Sequence, residues 1–125
     1  MNKLPTIKLK NKDYVQVKDR VIFFNETYLK GSIQTQVQEM AGGISIKAII
    51  YPDASDEKRF FTGRSFGILK GNDKALEKLE SVAVGRALAF MGIGVIEGIA
   101  SADEMQDFYN KPNKPTDNEW NNRAT

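Results

Sequence analysis

The chain has 125 residues, 18 Lys/Arg against 16 Asp/Glu, a net charge of +2, and neither cysteine nor histidine. That length fits one domain with a single core, and the missing residue types exclude disulfides, thiolate metal sites, and the commonest general base and transition-metal ligand. The remaining carboxylates, lysines and hydroxyls show no spacing expected of a nucleophile and its base or of a calcium loop, so a non-enzymatic protein without metal or cofactor is expected.

The charge divides unevenly: residues 1–98 hold fifteen Lys/Arg against eleven Asp/Glu, and residues 99–125 hold three against five. The body is therefore basic, as suits a polyanionic partner. Residues 1–12, with Lys3, Lys8, Lys10 and Lys12 and no acid, are read as a basic, flexible N-terminal arm, and residues 13–109 as the folded domain. Met1-Asn2-Lys3-Leu4-Pro5 opens no apolar run of signal-peptide length. The apolar stretch Ala87 to Ile99, broken by Glu97 and glycines, falls short of the ~20 residues that span a bilayer. No membrane association and a cytoplasmic location are expected.

A first helix is predicted over Val17 to Leu29, where Val17, Val21, Phe24 and Tyr28 share a face that Ile22 and Leu29 widen, with Gly31 ending it. Ile33, Thr35 and Val37 then alternate with Ser32, Gln34, Gln36 and Gln38, the period of a half-buried strand. Ala41-Gly42-Gly43 reads as a hairpin turn into a second strand with Ile44, Ile46, Ala48 and Ile50 inward, and Pro52 to Asp56 marks the next turn. In a third strand, Arg59 to Ile68, Phe60, Thr62, Arg64 and Phe66 alternate with Phe61, Gly63, Ser65 and Gly67; the two glycines permit a close approach or a bulge.

Asn72-Asp73 caps a long second helix whose apolar face, from Ala75 through Leu76, Leu79, Val82, Ala83, Leu88 and Phe90, ends before Gly92 and Gly94. Small residues at Ser81, Ala83, Gly85, Ala87 and Ala89 imply close helix-to-sheet packing. Ser101, with Glu104 at the capping-box position, starts a short third helix reaching to about Tyr109. Residues 110–125 are polar and asparagine-rich with two prolines, an expected disordered tail in which Trp120 is either a docking anchor for a protein partner or incidental. The fold class is α+β: helix, three-stranded antiparallel meander, long helix, short helix, tail.

Gln34, Gln36 and Gln38, joined by Lys47 and Tyr51, are expected on the sheet face away from the core, which either binds phosphates and bases or is merely solvated. Lys74, Lys78 and Arg86 follow one another along the second helix as a cationic stripe. Arg86, among small neighbours, suits a phosphate held by charge-assisted hydrogen bonds, the alternative being a salt bridge to Glu80, Glu97 or a neighbouring subunit. Arg59 and Arg64 face opposite ways, so only one can join Arg86, and Arg64 is favoured. Phe60, Phe61 and Phe66 are assigned to the core rather than to base stacking.

Thr62-Gly63-Arg64-Ser65-Phe66-Gly67, and above all the helix from Ala75 through Gly85-Arg86-Ala87-Leu88-Ala89-Phe90-Met91-Gly92 to Gly94, resemble the single-strand annealing proteins of homologous recombination. That superfamily includes the eukaryotic Rad-fifty-two annealing domain and the phage Erf, RecT and Redβ proteins. The resemblance spans roughly residues 14–98. It implies a β-β-β-α core, assembly into a homo-oligomeric ring or filament, and a basic groove that grips the backbone of single-stranded DNA. Arg86 matches the arginine of the family's Lys-Arg-Ala-Leu motif, whereas Gly85 and Ala89 stand where the family often carries further basic residues. Fewer cations per subunit imply weaker, more salt-sensitive binding unless many subunits act together.

The expected function is sequence-independent binding of single-stranded DNA by an oligomer that anneals complementary strands in phage-like recombination, with Arg86, Arg64, Lys78, Lys74, Lys47 and Arg59 as contacts. The alternatives are an OB-type single-strand-binding protein, which needs about five strands, and a protein-interaction module whose basic groove takes an acidic partner. A metal-dependent nuclease ranks behind these, because no element clusters carboxylates.

Overall fold

A computed structural model describes residues 4–40, 42–68, 73–96 and 98–110; the Ala41 turn position, the Asn72 cap, Glu97 and the tail with Trp120 lie outside them. The chain runs β1 (Ile7–Leu9), β2 (Lys12–Tyr14), α1 (Val17–Thr27), β3 (Ser32–Met40), β4 (Gly43–Tyr51), β5 (Phe61–Gly67), α2 (Asp73–Phe90) and α3 (Ala102–Asn110). This is the expected α+β order, with one addition. Part of the segment read as a flexible arm forms the β1–β2 hairpin, whose turn residues Lys10 and Asn11 take φ of 52° and 68°, the left-handed backbone of tight two-residue turns.

β3, β4 and β5 form an antiparallel sheet with β4 central. Its register is unbroken: Lys47 lies opposite Gln36 on one side and Arg64 on the other, and Ala48 lies between Thr35 and Gly63, so β5 contains no bulge. With a side-chain period of two, this register sends Ile46, Ala48 and Ile50 to one face, where they are buried against Ala83, Ala87 and Leu88 of α2 and Phe24 of α1. Ile22, expected to widen the buried stripe of the first helix, is exposed because α1 meets its neighbours along Val17, Arg20 and Phe24; the helix ends at Thr27 rather than Leu29, and Leu29, beyond it, is exposed too. Leu76 and Phe90 likewise leave the buried side of α2.

The sheet and α2 meet backbone to backbone. A Cβ on Gly63 would collide with the Ala87 amide nitrogen and lie 2.5 Å from the Ala83 carbonyl oxygen. Two hydroxyls fasten the same contact: Ser65 Oγ donates to the Leu79 carbonyl at 2.6 Å, and Thr35 Oγ1 to Glu80 Oε2 at 2.9 Å. On its other side α2 meets α1, where a Cβ on Gly85 would lie 2.7 Å from Val17 Cγ2.

Below Val17, the buried Arg20 donates from Nη1 to the carbonyls of Gly85 (2.8 Å) and Ile99 (3.2 Å), and from Nη2 to those of Gly94 (3.2 Å) and Ala100 (3.5 Å). Burial lowers its pKa from the usual arginine value, opposed by the negative charges of Glu104 and Asp103. No helix among the described residues is long and apolar enough to cross a membrane.

The two glycine contacts differ in what must yield, backbone in one case and a side-chain methyl in the other. Gly63→Ala is expected to cost about 3 kcal/mol and Gly85→Ala about 1 kcal/mol or less, since the latter also gains helix propensity. Urea unfolding of the two variants checks this order, and equal losses would contradict the close-contact account.

Candidate nucleic-acid interface

The predicted cations separate into two groups on opposite sides of the sheet. The face away from α2 carries, row by row across β3, β4 and β5, Gln34–Ile49–Thr62, Gln36–Lys47–Arg64 and Gln38–Ser45–Phe66, with Tyr51 at one end. No Asp or Glu occurs in these rows. Gln36, Gln38, Ser45, Lys47 and Arg64 line a recess of about 380 Å³. Cross-strand neighbours lie about 5 Å apart between Cβ atoms, so Lys47 and Arg64 concentrate two positive charges over the middle of the face. Among the described residues neither side chain has a carboxylate partner.

The second group lies along α2, beneath α3. Arg86 donates from Nε to Glu104 Oε1 at 3.2 Å and from Nη2 to Oε2 at 3.5 Å, a two-point grip on one carboxylate. Its remaining arm, Nη1, donates to the backbone carbonyl of Arg64 at 2.7 Å. Lys78 pairs with Asp107, one turn further along α3. The predicted stripe thus exists, but in this conformation its Arg86 and Lys78 are neutralised by carboxylates of the same chain. Lys74 stands one turn before Lys78 on the exposed side of α2.

The salt-bridge alternative for Arg86 is therefore realised with Glu104; Glu80 instead accepts from Thr35. Arg86 and Arg64 do come together, but through the Arg64 backbone, the Arg64 side chain projecting from the opposite face. Arg59 precedes β5 and sits over the Phe61 ring at 5.6 Å.

Phe61 packs against the core as expected, whereas Phe60 and Phe66, also assigned to the core, are half exposed. The small residues Gly63 and Ser65 occupy the helix-facing positions because α2 approaches too closely for rings, and the aromatics take the other face. Glu104 is the residue that sequence reading missed. Its position three residues after Ser101 assigned its carboxylate to the helix end, and Ser101 Oγ does accept from the Glu104 amide at 3.3 Å. The carboxylate itself goes to Arg86.

Chemically, the outer face offers a guanidinium, an ammonium, amides and a hydroxyl, all able to donate to phosphate oxygens. A scan against protein-family models, a search of curated proteins and a search of solved structures each find no significant match.

Glu104 is 15 % exposed and holds Arg86 at two points, whereas both members of the Lys78–Asp107 pair are open to solvent. Glu104→Gln is expected to cost about 1 kcal/mol and Asp107→Asn less than about 0.5 kcal/mol. Thermal unfolding at low and high salt measures both, and an Asp107→Asn loss equal to that of Glu104→Gln would contradict this ranking.

Proposed function

We propose that the chain is a non-enzymatic, single-stranded DNA-binding protein that engages the phosphate backbone through the outer sheet face and, as a homo-oligomer, promotes annealing of complementary strands in phage-like recombination. One observation carries this reading: a sheet face whose rows hold no acid, on which Lys47 and Arg64 stand side by side with no counter-ion among the described residues, flanked by glutamines. Charge of one sign on a broad surface attracts a polyanion regardless of sequence. Resemblance of the α2 segment to annealing proteins points the same way, and the cytoplasm of a bacterial host suits such a role.

The structure also gives a reason for the two departures from that resemblance. Gly85 lies against Val17 and Ala89 is buried, so neither position has room for another cation directed at a ligand. Arg86 and Lys78 can reach a phosphate only by exchanging Glu104 and Asp107 for it. The immediately available charge is Lys47 and Arg64, which makes each protomer a weak binder and many protomers on one strand a strong one. A closed OB barrel is not formed by the described strands, which divide into a sheet of two and a sheet of three.

Neutralising two phosphates on a single strand corresponds to a slope of about −1.4 in log K against log salt per protomer. The double variant Lys47→Gln/Arg64→Gln is expected to lose about tenfold or more in affinity at low salt, to similar extents for oligonucleotides of different sequence, and to flatten that slope. Fluorescence anisotropy across a salt series, on protein whose mass is set by light scattering, tests this. Wild-type protein that binds no oligonucleotide at low salt would refute the reading and turn attention to an acidic protein partner.

A further inference from the structure

Lys47 and Arg64 account for attraction to a phosphate backbone but not for a preference between single strands and duplexes, since both present phosphates. The same face carries a second kind of group at its two ends. At one end the Tyr51 and Phe60 rings lie 6.0 Å apart, inclined at 48°, with Phe60 51 % exposed. At the other, the 52 % exposed Phe66 ring lies where a Cβ on Gly43 would stand, its Cζ 2.7 Å from that point. The missing side chain lets the ring occupy the face beside Ser45. Aromatic rings ordinarily bury most of their surface, so half-exposed rings at both ends of an acid-free face are informative.

We infer that Phe66 and the Tyr51–Phe60 pair are base-stacking platforms, with Lys47 and Arg64 holding the phosphates between them. The occupant is a short segment of single-stranded DNA with its bases turned toward the sheet at both ends. Along β4 the two aromatic ends are separated by the six residues from Ser45 to Tyr51, about 20 Å at ~3.3 Å per residue. Roughly three to four extended nucleotides cover that span, at the low end of site sizes for single-strand grooves. The cationic row lies one strand repeat, two residues, from Phe66 and two repeats from Tyr51, so the cations stand between the two aromatic ends. An apolar protein segment would match the rings but leave two cations facing it without partners. A duplex would satisfy the cations but keep its bases stacked on each other, away from the rings. Strand-type selectivity therefore resides in the aromatics, and sequence tolerance follows because every base offers a π-face.

This inference rests on the proposed nucleic-acid reading, and the probes separate the two. Labelled oligothymidylate, an abasic deoxyribose-phosphate strand of equal length, and the corresponding duplex are each titrated with the full chain and with the variants Phe66→Leu, Tyr51→Leu and Lys47→Gln. The wild type is expected to favour oligothymidylate over the abasic strand by about tenfold per ring engaged. Phe66→Leu and Tyr51→Leu each erode that preference while leaving abasic affinity unchanged, and Lys47→Gln weakens both strands equally. Because both rings project from the sheet surface, unchanged circular dichroism and melting verify folding, and quenching of a fluorescent base analogue in the strand reports stacking directly. Equal wild-type affinity for the two strands, or an undiminished preference in Phe66→Leu and Tyr51→Leu, overturns the stacking inference while the backbone reading stands. Absence of binding to either strand overturns both.

Discussion

The guanidinium of Arg20 joins the two ends of the fold. Between α2 and α3 the described residues form no helix or strand, so their carbonyls require donors from elsewhere. Three of them, in Gly94, Ile99 and Ala100, together with that of Gly85 in α2, converge on this one side chain. Arginine suits the task because its charge persists on burial and its fork of donors addresses several acceptors at once. With that stretch fixed, α3 arrives beside the start of α1. There the Ala102 amide donates to the Val15 carbonyl at 2.9 Å, and Asp103 Oδ1 accepts from the Val17 amide at 2.7 Å. Gln16, at the N-cap of α1, makes no side-chain cap of its own, so the helix is capped from 86 residues away.

What could be read from the sequence was what short-range periodicity encodes. The alternation of Ile33 to Val37 and of Ile44 to Ile50 specifies two strands, and the inward face of the second, whereas Val37 near the far end of β3 is exposed; Ser101 marks the start of α3. The β1–β2 hairpin was hidden because a lysine-rich segment with Lys10-Asn11 at its turn lacks a glycine to mark it. Hydrophobicity places Phe60 and Phe66 inward, but next to them α2 meets the sheet at Gly63 through Ala83 and Ala87, too close for rings. Small residues on both partners at this contact leave the rings of Phe60 and Phe66 on the outer surface. Arg20 carried a readable signal, standing three residues after Val17 and four before Phe24 on the same helical stripe. The pairing of Arg86 with Glu104 carried none, because it depends on how the intervening stretch is fixed.

The two layers thus handle charge differently. In the helical layer the charges of Arg20, Arg86 and Lys78 meet carbonyls or carboxylates of the chain itself, and what they contribute is architecture. On the outer sheet face the cations have amides and a hydroxyl around them and no acids, and what they offer is directed outward. The backbone contact at Gly63 holds these layers in register, so the spacing of Lys47, Arg64 and the surrounding rings is set by a packed core rather than by loops.

Arg64 belongs to both layers: its side chain stands on the outer face while its carbonyl oxygen is held by Arg86, which in turn is gripped by α3. A ligand that draws Arg64 outward therefore pulls on the same hydrogen-bonded chain that seats α3. Thermodynamic linkage makes such coupling symmetric: to whatever extent occupancy of the sheet face loosens α3, release of α3 alters affinity at the sheet face by the same factor. Two surfaces on opposite sides of the sheet are in this way joined through the peptide carbonyl of one residue.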